Sequence, residues 1–223
     1  HAVNVQACET LAAEAERAGA WLVHYSTDYV FSGEGERPWR ETDPAEPLNV
    51  YGRSKLAGEQ AIARLCPRHL IFRASWLFDT WGDNFLKSIL AAARRHATLQ
   101  VVSDQWGAPT RAALVADATA HALRGLDARL AGTYHLSAQG ETSRHGFATH
   151  LLACARRHGL TVLAGPDDVS EVPSSHYPSP ARRPLNSRLD TTAAQIAFGV
   201  AFPPWQAGVD AVIAELAATA YTR

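Results

Sequence analysis

Apolar residues recur at helical spacing over 3–18, Gly19 stops the pattern, and WLVHYS (21–26) follows at once as a short buried strand. The exchange then repeats. Residues 51–65 read as an amphipathic helix, HLIFRAS (69–75) as a strand of branched and aromatic residues, 83–96 as a helix, LQVV (99–102) as a short strand and 112–126 as a helix. Strands joined through helices return to the same end of a sheet and lie parallel, so the alternation predicts an α/β fold, a parallel sheet flanked by helices.

Beyond Gly132 the character changes. TYHLSA (133–138) is strand-like, 143–158 is helical with Ser143 as its cap, and 164–188 is rich in Pro, Ser and Arg and reads as irregular. Two closing helices are expected over 191–198 and 205–219, the second just after Pro203-Pro204. The chain therefore divides into 1–126, holding the sheet, and 127–223, a smaller lobe packed on it.

Composition bears on partners. Lys+Arg 21 against Asp+Glu 22 leaves no field of either sign for a nucleic acid or an anionic membrane surface. No apolar run approaches the roughly 18–20 residues of a membrane span, and with 47% apolar residues the chain reads as a globular enzyme-sized protein. Cys8, Cys66 and Cys154 lie far apart without C-x-x-C spacing, which reads as packed free thiols in a reducing cytoplasm. None of the ten histidines shows H-E-x-x-H spacing, and His24, His69 and His135 fall in strand-like runs as core or surface histidines, so no metal ligand is assigned. The chain begins at His1 and contains no Met, which reads as a processed or truncated chain and removes weight from the lack of a signal peptide.

The chemistry-bearing residues fall around the first strand and the helix after it. YSTDYVF (25–31) ends the strand on a hydroxyl residue, a Gly- and Pro-rich stretch over 32–50 reads as a long functional loop, and YGRSK (51–55) opens the helix. Residues four apart share a helix face, so the Tyr51 phenol and Lys55 ammonium point into one cleft, where the cation would favour the phenolate. The Thr27 hydroxyl, at the carboxyl end of the strand, is placed to hydrogen-bond the same substrate oxygen. Such a trio suits proton delivery to a carbonyl oxygen paired with hydride transfer to its carbon. Taken alone, Tyr-x-x-x-Lys also reads as an ordinary surface pair.

The stretches LVHYSTDYVFSGEGERPWRETDPAEPLNVYGRSKLAGEQ (22–60), HLIFRASWLF (69–78), DNFLKSIL (83–90), DQWGAPT (104–110), GTYHLSAQGETS (132–143) and RRPLNSRLD (182–190) resemble the dTDP-4-dehydrorhamnose reductases, a family of extended short-chain dehydrogenases/reductases. The resemblance implies a partial Rossmann-like, doubly wound parallel sheet in 1–126 and an α+β substrate-binding lobe in 127–223. It implies reduction of the 4-keto group of dTDP-4-dehydro-L-rhamnose to dTDP-L-rhamnose by NADPH or NADH, in the cytoplasm, by a homodimer, in some members with a divalent cation (Mg) at the interface. On its pattern Tyr51 is the proton donor, and Lys55 contacts the nicotinamide ribose and lowers the phenol's pKa. Thr27, Asp28 and Trp76 contact the sugar, Asn4 helps position the site, and the loop carrying Gln105 contacts the nucleotide. Arg182, with Arg183, is suited to the diphosphate. Each has a second reading: Asp28 as a turn residue, Trp76 as core, the 104–110 loop as a plain turn, and Arg182 as solvated.

Family members open with a strand and a Gly-x-x-Gly-x-x-Gly turn whose amides receive the pyrophosphate, and no such turn precedes the catalytic strand here. On that layout these residues alone would expose a central sheet edge, bind dinucleotide poorly and be inactive, and the residue choosing between NADH and NADPH would lie outside them. Two other functions share the pattern: a non-catalytic reductase-like regulatory subunit, and a different nucleotide-sugar reductase or epimerase. Retention of Tyr51, Lys55, Thr27, Asp28 and Trp76 favours the enzyme, and the ASWLF and DQWGAPT segments favour the rhamnose reductase.

Overall fold

A computed structural model describes residues 2–177 and 181–221. Along the chain run α1 (Ala7–Ala18), β1 (Leu22–Thr27), α2 (Val50–Leu65), β2 (His69–Ala74), β3 (Leu77–Phe78), α3 (Phe85–Ala93), β4 (Leu99–Val102), β5 (Trp106–Gly107) and β6 (Thr110–Arg111). Then follow α4 (Ala112–Arg124), β7 (Gly132–Leu136), β8 (Thr142–Ser143), α5 (Arg144–Arg157), β9 (Val169–Val172), α6 (Thr192–Phe198) and α7 (Trp205–Tyr221). Contacts divide the chain into two compact units: His1–Ser75, Asp117–Ser137 and Pro180–Ala201 in one, Trp76–Ala116, Ala138–Ser179 and Phe202–Arg223 in the other. The units interleave along the chain, whereas the sequence reading divided it once, after residue 126.

In the first unit β1, β2 and β7 form a parallel sheet in the order β1-β2-β7, with Leu22 opposite His69 and Leu70 opposite Gly132. Among the described residues β1 pairs on one side only. Neighbouring residues of β2 show that both faces are covered, because successive side chains on a strand point to opposite sides. Ile71 packs with Cys8 and Ala12 of α1 and Ile62 of α2, whereas Phe72 meets Phe198 of α6 at 6.0 Å between ring centres. That is the helix-flanked parallel sheet the alternation predicted, in the doubly wound form the resemblance implied. Gly19 closes α1 in the left-handed conformation, φ 66, where a side chain would be strained.

The loop between β1 and α2 is irregular after a short turn at Asp28–Val30, as expected, but it is firmly held. The Trp39 ring stacks on the buried Phe31 ring at 4.8 Å, its amide donates to the Arg188 carbonyl at 2.9 Å, and its indole donates to the Asn186 carbonyl at 3.1 Å. The 182–190 stretch is therefore a clamp on this loop. Beneath it Arg73 of β2 is enclosed, its guanidinium 5.1 Å from the Phe31 ring centre and paired with Glu59 of α2 at 2.6 Å.

The second unit is built around α5. Phe147, Leu151, Leu152 and Ala155 face Leu86 and Leu90 of α3 and Val209, Val212 and Ile213 of α7 in one apolar core. Ser143 caps α5 as predicted, its hydroxyl accepting from the Gly146 amide at 2.9 Å. The stretch expected to be irregular over 164–188 contains a strand: β9 pairs in parallel with β4, Leu99 opposite Val169. Its sequence, VSEV, is too short to announce itself, and β4 supplies the hydrogen-bonding edge. Residues 178–180 of that stretch lie outside the described residues. Among the described residues no helix is long and apolar enough to cross a membrane.

Candidate active site

Thr27 ends β1 in extended conformation, and its hydroxyl accepts from the Tyr29 amide at 3.2 Å and donates to Asp28 Oδ1 at 3.1 Å. Both side chains are buried. Asn49 caps α2, accepting from the Gly52 amide at 2.9 Å, so the first turn of the helix begins beside this strand end. The approach is close: a Cβ on Gly52 would lie 2.1 Å from the Tyr29 carbonyl oxygen. A glycine is required there, and it sits next to Tyr51. Gly52→Ala is accordingly expected to cost about 1–3 kcal/mol in urea unfolding, the usual price of overpacking, and to slow catalysis by displacing the Tyr51 phenol.

Tyr51 is half exposed, packs edge-on to Tyr29 at 5.7 Å, and places its phenol within hydrogen-bonding reach of the Thr27 hydroxyl. Lys55, one turn on, donates to the Tyr25 carbonyl at 2.6 Å and lies 3.1 Å from His24 Nε2. Thr27, Asp28, Tyr51 and Lys55 are thus brought together in one unit, at the carboxyl end of a parallel strand, where open sheets receive ligands.

The expected lowering of the Tyr51 pKa by Lys55 is not what this arrangement produces. Burial is the largest influence and, with the Asp28 carboxylate, pushes the phenol above its ordinary value despite the Thr27 hydrogen bond. The ammonium itself is engaged by β1, and burial pulls its own pKa down. A phenol raised in this way stays protonated at neutral pH, the form a proton donor requires.

His24 is the residue the sequence reading passed over. It shares a strand face with the α1 and α2 packing, and its Nδ1 lies 4.0 Å from Cys8 Sγ while Nε2 faces Lys55. Period-2 alternation along WLVHYST carried the signal, since it sets His24 on the face opposite Tyr25. Burial and the adjacent Lys55 lower its pKa to about 4, so the neutral ring accepts from the ammonium. Asn4 reinforces the same helix turn: its amide donates to Ser54 Oγ at 2.9 Å, and that hydroxyl donates to the Tyr51 carbonyl at 2.8 Å.

His135, wholly buried in β7, is lowered further, to about 3, chiefly by burial and then by Arg73. Both histidines are held neutral by the fold, so the unfolded chain binds more protons between pH about 6.5 and the folded values. Their contribution to stability is complete above pH about 6.5 and is lost as the pH falls from there toward 4. From pH 7 to 5, above the ordinary carboxylate range, stability is expected to fall by about 1–2 kcal/mol per histidine, least for the half-buried His24. Urea titrations at the two pH values measure this, and His135→Gln should shrink the drop.

The remaining predicted site residues fall as follows. Arg182 is in the first unit, its carbonyl accepting from the Asn49 side chain at 2.9 Å and its exposed side chain in no ion pair among the described residues. Trp76 and Gln105 are in the second unit. Trp76 adopts φ 49, the only positive φ outside glycine among the described residues. A left-handed aromatic residue is strained by about 1–2 kcal/mol, and it is held by the Thr110 amide donating to its carbonyl at 3.2 Å and by the Arg144 guanidinium 3.7 Å from the ring centre. Such strain is found where function demands a geometry. The Gln105 amide donates to Ser174 Oγ at 2.9 Å, so this side chain fastens the 104–110 turn to the stretch after β9.

A doubly wound parallel sheet that brings a strand-end Thr-Asp pair against a helix opening Tyr-x-x-x-Lys defines a short-chain dehydrogenase/reductase. Residues 1–218 match the family described as the RmlD substrate binding domain. The dTDP-4-dehydrorhamnose reductase of Salmonella typhimurium is 48% identical over 97% of this chain and 73% of its own. A solved dTDP-4-dehydrorhamnose reductase from Bacillus anthracis, in complex with NADP, superposes with a TM-score of 0.86 at 30% identity, covering 95% of this chain and 72% of that one. One from Clostridium acetobutylicum gives 0.87 at 30% identity, over 96% and 72%. The chain belongs to the dTDP-4-dehydrorhamnose reductase family.

Proposed function

We propose that this protein reduces the 4-keto group of dTDP-4-dehydro-L-rhamnose to give dTDP-L-rhamnose, with NADPH or NADH as reductant. The observation that carries the reading is the approach of the Tyr51 phenol to the Thr27 hydroxyl at the end of β1, with Lys55 one helical turn on and bound to the Tyr25 carbonyl of the same strand. The nicotinamide end of such a nucleotide fits the residues present. Ser26 Oγ and Ser75 Oγ, at the carboxyl ends of neighbouring parallel strands, are buried without a hydrogen-bond partner among the described residues. Lys55 uses two contacts, to Tyr25 and His24, of the three its ammonium can donate, which leaves one for a ribose hydroxyl. Hydride supply to the carbonyl carbon is the chemistry that the nucleotide brings.

Tyr51 then donates its proton to the oxygen as it becomes an alkoxide, and Thr27 holds that oxygen in line. The departing proton leaves a phenolate, and the half-exposed Tyr51 recovers a proton from solvent. Asp28, buried and acceptor-only when ionised, takes hydrogen bonds from sugar hydroxyls. Trp76 supplies a flat apolar wall to the deoxysugar, its strained backbone fixing the ring. Gln105 positions the nucleotide-contacting turn through Ser174, and Arg182 pairs with the diphosphate. A homodimer with a divalent cation at its interface completes the reading. Sedimentation with and without chelator tests that part, and a monomer in both overturns it. For the reaction itself, the full-length protein is mixed with NADPH or NADH and dTDP-4-dehydro-L-rhamnose. Substrate-dependent oxidation of the cofactor with appearance of dTDP-L-rhamnose is expected, and its absence with both nucleotides would sink the assignment.

A further inference from the structure

Away from the end of β1, α5 and α7 bring together three groups of metal-ligand type. His150 and Cys154 stand one turn apart on α5, with Nε2 3.3 Å from Sγ, and the Asp210 carboxylate faces them from α7. The ligand atoms of all three lie within 4.8 Å of one another. The thiol is buried, whereas the imidazole and carboxylate are half buried, so the cluster is open to solvent on one side. The proposed reduction makes no use of these residues.

We propose that His150, Cys154 and Asp210 bind a divalent cation of the zinc type. An imidazole nitrogen and a thiolate sulfur about 2.0 and 2.3 Å from a tetrahedral zinc are separated by about 3.5 Å, close to the 3.3 Å observed. The nitrogen, sulfur and oxygen donors suit zinc or cobalt(II), whereas magnesium and calcium call for oxygen alone. Edge-on packing of the His150 ring on Trp205, at 4.9 Å, fixes the orientation of the imidazole. The fourth position of a tetrahedral site is left to water.

Arg157 supplies the positive charge of the cluster when no metal is bound. Its Nη2 lies 3.1 Å from Cys154 Sγ, and its guanidinium pairs with Asp210. The Arg157 side chain is 58% exposed, so it can swing into solvent as a cation enters. Metal binding releases the thiol proton to water.

Cobalt(II) is the probe, because a thiolate ligand gives it a charge-transfer absorption. Titration of the chelator-treated protein is expected to produce that band, with zinc but not magnesium abolishing it. Cys154→Ser should lack the band, and Arg157→Ala should bind cobalt several-fold more tightly because its competitor is gone. Zinc should raise the unfolding temperature of the unmodified protein and not that of Asp210→Asn, with circular dichroism confirming that both are folded. No thiolate band in either the unmodified protein or Arg157→Ala overturns the proposal. So does a band that survives Cys154→Ser, since it would arise from Cys8 or Cys66.

Discussion

Tyr51→Phe is expected to lower kcat for reduction of the 4-keto sugar by about 10²–10⁴-fold, the usual worth of a positioned general acid, while leaving the fold intact. The substitution removes one half-exposed hydroxyl and keeps the ring, which still packs against Tyr29. The phenol is the group that holds a transferable proton beside Thr27, and its raised pKa keeps that proton in place at neutral pH. Activity of the unmodified protein is therefore expected to decline on the alkaline side, where the phenol ionises, and not near neutrality. Steady-state rates at saturating substrate, with substrate binding by Tyr51→Phe measured separately, divide the effect between chemistry and affinity. An unchanged kcat would remove Tyr51 from the role of donor.

Glu59→Ala is expected to destabilise the protein by about 3–5 kcal/mol, because it strands a buried cation. Arg73 and Glu59 are 6% and 4% exposed, and the carboxylate takes hydrogen bonds at 3.0, 3.2 and 2.6 Å from the guanidinium. The Phe31 ring over Arg73 attracts the cation but replaces no hydrogen bond, and Arg73 Nη1 already lacks a partner among the described residues. The pair costs desolvation in the intact protein, so the double substitution Glu59→Leu with Arg73→Met should recover much of the loss. Urea unfolding of the singles and the double measures both effects. A loss under about 1 kcal/mol in Glu59→Ala would mean that water reaches the guanidinium and that the pair behaves as a surface one. Glu59 sits one helical turn beyond Lys55, so the pair also joins the helix carrying Tyr51 to the middle strand of the sheet.

Much of this was legible in local patterns. The helical spacing before Gly19, the apolar strand after it, the Tyr-x-x-x-Lys helix start and the Ser143 cap all depend on neighbours close along the chain, and the structure contains each of them. Thr27, Tyr51 and Lys55 were legible for the same reason, and Asp28 through the family resemblance. A strand end and the opening turn of the next helix in an α/β unit are bound to meet. β9 was not legible, because VSEV becomes a strand only against the edge that β4 offers. The part played by His24 was hidden likewise, since its partners Cys8 and Lys55 come from two different helices.

By itself, then, the sequence determined the parallel α/β fold, the family and the polar groups at the end of β1. The fold and the trio of Thr27, Tyr51 and Lys55 follow from periodicity, capping and one helix face, which act over a few residues, whereas the family and the part of Asp28 follow from the resemblance of long stretches. The tertiary structure alone decided that the chain divides into interleaved units, that burial raises the Tyr51 phenol while β1 engages Lys55, and that His150, Cys154 and Asp210 share one corner. Desolvation, charge proximity and ligand geometry depend on distances between segments remote in the chain, and only packing sets those distances.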